Sequence, residues 1–85
     1  MHYLYILKSK QSGKYYVGET TNVAKRFTQH AVAKTSFGRR NKDIELIFIK
    51  ECLDRPEAKK LEYFIKRQKS HQFIDKFIQG KIIPP

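Results

Sequence analysis

Two short tyrosine-bearing segments, Tyr3-Leu4-Tyr5 and Tyr16-Val17-Gly18, stand near the N-terminus of this chain. Arg26 and His30 follow at helical spacing, and a lone carboxylate, Glu62, comes much later among lysines. Phosphodiester hydrolysis needs a nucleophilic water with a base or orienting group, a donor to the oxygens on which negative charge builds, and usually a divalent cation held by oxygen ligands. Each part has a candidate here. Glu62 supplies a metal ligand, Arg26 a stabiliser of transition-state charge, and a tyrosine or histidine a handler for the proton.

The charge balance agrees with a polyanionic partner. Eighteen Lys and Arg against eight Asp and Glu give a formal net charge of +10 on 85 residues, and so strong a positive field on so small a body attracts nucleic acid. Arg39 and Arg40, together with Lys59, Lys60, Lys66, Arg67 and Lys69, are the candidate phosphate contacts. Such contacts position a protein without reading sequence, so DNA binding without sequence preference is expected. A membrane partner is not expected, because no apolar run is long enough to span a bilayer and no signal-peptide arrangement is present. The chain reads as soluble and cytoplasmic. Its single cysteine, Cys52, forbids an internal disulfide or a cysteine-based metal cluster and sits at the end of an apolar run, where a small buried hydrophobe is expected.

The elements that must position these residues fit one domain over residues 1–85, since a chain this short has room for one modest core. Residues 2 to 8 are aromatic and β-branched without a breaker and read as a strand, with Tyr3, Tyr5 and Leu7 on one face and Leu4 and Ile6 on the other. Gln11-Ser12-Gly13-Lys14 supplies a turn into a second strand at Tyr15-Tyr16-Val17. Thr20, Thr21 and Asn22 are capping residues for a helix from Val23 to about Ala33. In that helix Val23, Phe27 and Ala31 are expected to face the core, and Asn22, Arg26 and His30 form a polar stripe on another face. Lys34 to Lys42 reads as a basic loop. Ile44 to Ile49 is apolar on both alternating faces, as in a central strand covered on two sides, which points to an α/β sandwich. Asp54-Arg55-Pro56-Glu57 starts a helix whose core stripe is Ala58, Leu61 and Ile65. Ser70 caps a last helix that packs Phe73, Phe77 and Ile78 inward and ends at Gly80.

Taken in order, Tyr3-Leu4-Tyr5, ten intervening residues and Tyr16-Val17-Gly18 resemble the two motifs that name the GIY-YIG nuclease family. The likeness continues through Asn22 to His30, through Ala58-Lys59-Lys60-Leu61-Glu62, and through Ile65 to Ser70. The resemblance implies a central three-stranded antiparallel sheet flanked by helices, and a metal-dependent DNA endonuclease acting in repair or recombination. It further implies that Tyr5 and Tyr16 are the motif tyrosines, Arg26 the helix arginine, His30 the histidine one turn on, and Glu62 the ligand of Mg²⁺ or Mn²⁺. The sequence departs from the pattern at Tyr3, where the motif has glycine, at Val17, where it has isoleucine, and at Glu19, where some relatives carry lysine. With no appended specificity domain in these residues, substrate choice would rest on DNA shape, branched or duplex, or on a partner protein.

Blander roles compete for the same residues. The tyrosines suit any strand, Arg26 and His30 suit a solvated helix face, and Glu62 stands one turn before Lys66 in the order that favours an exposed ion pair. His2 and His71 match nothing and read as surface or capping residues. Two other function classes follow from these readings: a catalytically weak or inactive nucleic-acid-binding module of the same fold, and a small interaction protein whose charge serves solubility. The isolated acid favours the enzyme, because binding alone needs cations and no carboxylate.

Overall fold

The computed structural model describes residues 1–32, 43–68 and 70–80. The basic loop expected at Lys34 to Lys42, with Arg39 and Arg40, lies outside the described residues, as does Lys69. Three strands, β1 (His2–Ser9), β2 (Tyr15–Thr20) and β3 (Ile44–Cys52), form one antiparallel sheet in the order β2-β1-β3. Three helices accompany it among the described residues: α1 (Val23–Ala31), α2 (Arg55–Gln68) and α3 (His71–Ile78). This is the α/β class expected, with the three-stranded antiparallel sheet that the family resemblance implied.

The central strand is β1, not the Ile44–Ile49 segment. Leu4, Tyr5, Ile6 and Leu7 are each no more than 2% exposed, so β1 is covered on both faces. Strand β3 lies at the edge instead, with Leu46 and Ile49 exposed by 36% and 47%. Its two-faced apolarity has another cause. Ile6 pairs with Phe48 and Leu7 with Leu46, so Ile47 is an extra residue in the ladder. That bulge sends Leu46 and Phe48 to opposite faces, where unbroken alternation would have kept them together.

The apolar core lies on the face of β1 that carries Leu4 and Ile6. Val17 and Cys52 join it from the flanking strands, Ala58, Leu61 and Ile65 from α2, and Ile74 and Phe77 from α3. Burial raises the Cys52 thiol above its ordinary range, consistent with a packing role. The helix starts follow their caps. Asn22 accepts from the Lys25 N–H at 3.0 Å, Asp54 from Glu57 at 3.0 Å and Ser70 from Phe73 at 3.2 Å. Gly13 takes φ +73 in the β1–β2 turn and Gly80 φ +77 after α3, where a side chain would be strained. The turn is tied to the start of β3, because Asp43 accepts from the Ser9 hydroxyl at 2.7 Å and from the Gln11 N–H.

Helix α1 packs on the opposite face of the sheet with a different stripe from the one expected. Ala31 is exposed, and the buried residue of this helix is His30. Phe27 and Val23 are half-buried beside it. The inward stripe thus ends on His30 in place of Ala31, and the Tyr5 hydroxyl offers the buried imidazole a hydrogen-bond partner inside the fold.

Candidate active site

On the α1 side of the sheet, Tyr5 and Tyr16 come from neighbouring antiparallel strands, where Tyr5 pairs with Gly18 and Leu7 with Tyr16. Alternation along each strand puts both tyrosines on one face. Their ring centres lie 6.1 Å apart. His30 closes the group from α1, with its ring 4.7 Å from Tyr16 and its Nε2 3.2 Å from the Tyr5 hydroxyl. His30 is fully buried and Tyr5 nearly so, whereas Tyr16 is half-exposed and reaches solvent.

Electrostatics assigns the protons in this cluster. Burial first, then the neighbouring Tyr16, raises Tyr5 well above the ordinary phenol range, against a smaller opposing pull from Arg26. Burial, then the Arg26 cation, lowers His30 below the ordinary imidazole range. At neutral pH, Tyr5 is therefore a phenol and His30 an uncharged imidazole, able to share one proton along their hydrogen bond. The Arg26 charge thus acts on both groups. Arg26 also lines a surface hollow of about 340 Å³ with Lys25, Asn22, Gln29 and the two threonines of the β2–α1 turn.

Glu62 comes from α2, which reaches round the β2 edge of the sheet. Its carboxylate acts on the Tyr5 phenol, raising it a little further, which ties Glu62 electrostatically to the tyrosine cluster. Only 8% of Glu62 is exposed. Lys59 Nζ lies 3.4 Å from Oε1 and Lys66 Nζ 3.3 Å from Oε2, and these lysines with Tyr63 line a hollow of about 240 Å³ around the carboxylate. Lys66 also lies 5.9 Å from the Tyr16 ring centre, joining the carboxylate to the tyrosine pair. Arg67 is elsewhere, stacked over Tyr63 at 5.7 Å.

The structure thus gathers Tyr5, Tyr16, His30, Arg26 and Glu62 in one region, with Lys59 and Lys66 at its border. Gly18, quoted only as the end of its motif, and Glu19, noted as a departure from the pattern, both contribute to the site. A Cβ on Gly18 would stand 2.6 Å from the Tyr5 hydroxyl and 3.0 Å from Tyr16, so the absence of a side chain there makes room for both phenols. The pairing of Gly18 with Tyr5 two residues beyond Tyr16 was the available signal. Glu19 lies against three basic side chains: His2 Nε2 and Arg55 Nε at 3.6 Å and Lys59 Nζ at 3.4 Å. Lys59 consequently bridges Glu19 and Glu62. No local spacing announces this contact, which forms only when α2 folds back across β2.

Residues 1–75 match the family model described as the GIY-YIG catalytic domain. A UPF0213 protein of Yersinia enterocolitica is 42% identical over 80 residues, covering 93% of this chain and 80% of the relative. A UPF0213 protein of Photorhabdus laumondii is 41% identical over 70 residues, 81% of this chain and 66% of the relative. The solution NMR structure of a UPF0213 protein from Bacillus halodurans superimposes with a TM-score of 0.60 at 31% identity, over 94% of this chain and 84% of that one. With the family model spanning most of its length and the fold matching a solved relative, the chain belongs to the GIY-YIG family, a family of nucleases acting on nucleic acid.

Proposed function

We propose that the protein is a metal-dependent DNA endonuclease that hydrolyses phosphodiester bonds, directed by DNA shape rather than sequence and serving repair or recombination. The observation that carries this reading is the convergence of Tyr5, Tyr16 and His30 with the charges of Arg26 and Glu62 on one flank of the sheet. An electrostatic DNA-binding surface alone needs no buried phenol–imidazole pair and no nearly buried acid.

Glu62 suits Mg²⁺ or Mn²⁺ as one ligand among several. Among the described residues no three His, Cys, Asp or Glu side chains gather in a metal cage. Mg²⁺ is commonly held by one or two carboxylates, with waters and substrate phosphate completing its shell. Both Glu62 oxygens face ammonium groups of half-exposed side chains. A phosphodiester gives Lys59 and Lys66 new partners as they leave the carboxylate. When bound, the ion would polarise the phosphoryl group and offset charge on the leaving oxygen.

The remaining steps belong to side chains. Arg26 donates to the phosphoryl oxygens as negative charge develops. Tyr16, the more exposed tyrosine of the pair, orients the attacking water and accepts its proton as its own phenolic proton passes to solvent. Tyr5 stays protonated, braced by His30, and holds Tyr16 in place through their mutual hydrogen bond. This division of labour makes Tyr16 the proton acceptor and Tyr5 its support.

Supercoiled, branched and single-stranded DNA incubated with Mg²⁺ or Mn²⁺, with and without chelator, test the reading. Chelator-sensitive nicking that is lost in Glu62→Gln is expected, with DNA binding kept or slightly tightened, because removing a negative charge does not weaken phosphate attraction. Binding without cleavage under every metal condition would instead favour an inactive DNA-binding member of the fold. Equal cleavage by wild type and Glu62→Gln would remove Glu62 from the metal site.

A further inference from the structure

Strand β2, the last turn of α2 and the start of α3 enclose a separate cavity of about 370 Å³. That volume falls in the range of small-ligand sites, about 300–1,000 Å³. Its buried side is aliphatic, made by Val17, Ile65 and Ile74, while Tyr15 and His71 bring aromatic rings to its open side. The two rings meet edge to face with centres 5.0 Å apart. Tyr15 is held in place by a hydrogen bond to Asp75 and by the Lys8 ammonium 5.2 Å from its ring centre. Tyr16 and Lys66 line the cavity too, so it shares two residues with the border of the candidate active site.

Three features select the occupant. An aliphatic back with aromatic walls suits a flat ring that stacks. The shared Lys66 requires that ring to be attached to an anion lying at the site. Among the described residues strand β2 pairs with β1 alone, so half of its peptide groups point away from the sheet and offer hydrogen bonds to the edge of a heterocycle. A base joined to a backbone phosphate meets all three conditions.

We propose that this cavity is a nucleobase subsite, receiving an unpaired base next to the phosphodiester held at Tyr16 and Lys66. The inference rests on the nuclease reading and names its substrate class: nucleotides unpaired at the cleavage point, as in single strands, flaps and branch junctions. A base within a duplex is excluded unless extruded, because it remains stacked and paired. His71, which matched nothing in the sequence, becomes the exposed wall against which the base packs.

The test compares an oligothymidylate with an abasic oligomer of the same length and charge, both titrated in chelator so that nothing is cleaved. Wild type, His71→Ala and His71→Phe are measured by anisotropy; His71 is exposed and outside the core, so both substitutions spare the fold. Wild type should bind the thymidylate about tenfold more tightly than the abasic strand, the usual scale of one stacked base. His71→Ala should lose most of that preference without weakening the abasic complex, and His71→Phe should recover it. Ring-current shifts at the Ile74 methyls should appear with the thymidylate only. Equal affinity of wild type for both strands, or a His71→Ala defect equal on both, overturns the subsite while leaving the nuclease reading intact. Failure to bind either strand at low salt overturns both.

Discussion

The two faces of β1 are equally buried and built from different chemistry. On one, Leu4 and Ile6 meet the aliphatic and aromatic side chains of α2 and α3, and the contact is stabilised by area removed from water. On the other, Tyr5 lies against His30 and Tyr16, and burial is tolerated because the phenol and imidazole satisfy each other. Leaving such a group buried without a partner costs about 1–3 kcal/mol. The apolar face therefore accepts substitutions that keep volume, whereas the polar face is stable only as a complete set. A domain this small has no spare surface for a deep cleft and builds its candidate site from one side of its own core.

That contrast breaks most sharply at Arg26, which serves the polar face without building the apolar one. Arg26→Ala is expected to lower single-turnover cleavage by about 10²–10³, the typical loss when one donor to a developing oxyanion is removed. DNA affinity should fall far less. Single-turnover rates beside equilibrium titrations check this, and a proportional fall in both would make Arg26 a phosphate anchor.

Gly18 tests how tightly the polar face is packed. In Gly18→Ala the new methyl group would collide with the Tyr5 hydroxyl, and a fully packed ring held by His30 cannot yield without losing its hydrogen bond. Overpacking of this kind costs about 1–3 kcal/mol. Cleavage per folded molecule should drop with the stability, because the displaced Tyr5 no longer supports Tyr16. Urea unfolding and cleavage kinetics on the same preparation check both parts, and unchanged kinetics would show that Tyr5 is scaffold only.

Ile6 is the matching probe on the other face, one residue from Tyr5 and pointing away from it. Ile6→Val should cost about 0.5–1.5 kcal/mol of stability, as the loss of one buried methylene does. The cleavage rate of the folded protein should not change. A rate defect here would mean that the two faces are mechanically coupled through the β1 backbone.

Legibility in the sequence followed the same divide. The apolar face was readable because periodicity reports it: Ala58, Leu61, Ile65 and Phe77 are all buried as their spacing implied. Capping by Asn22, Asp54 and Ser70 was readable because each bond is local. The polar face was reached mainly through the likeness of Tyr5, Tyr16, Arg26, His30 and Glu62 to a known pattern. Periodicity alone misplaced α1 by favouring Ala31 over His30, since a hydrophobicity pattern cannot see that a buried tyrosine awaits a partner. The centre of the sheet was misread for a related reason: the bulge at Ile47 mimics the two-sided burial of a central strand. The Glu19 contacts with His2, Arg55 and Lys59 depend on the approach of α2 to β2 and have no local signature.

The smallest expected effect concerns His30 and its dependence on pH. Burial and the Arg26 cation lower its pKa in the folded protein, so the folded state binds a proton less readily than the unfolded chain does. His30 therefore contributes stability that is fully present above the unfolded value of about 6.5 and is lost as the pH falls toward the lowered folded value. The groups facing it are Tyr5, which burial holds well above that range, the ring of Tyr16, and the Arg26 guanidinium. His30→Gln keeps a hydrogen-bonding side chain opposite the Tyr5 hydroxyl and removes the titration. The urea midpoint of the wild type should fall more steeply between pH 7.5 and pH 5 than that of His30→Gln, with the two curves separating only below about pH 6.5. Parallel curves would mean that His30 is as easily protonated in the folded protein as in the unfolded chain, and the uncharged imidazole beside Tyr5 would have to be given up.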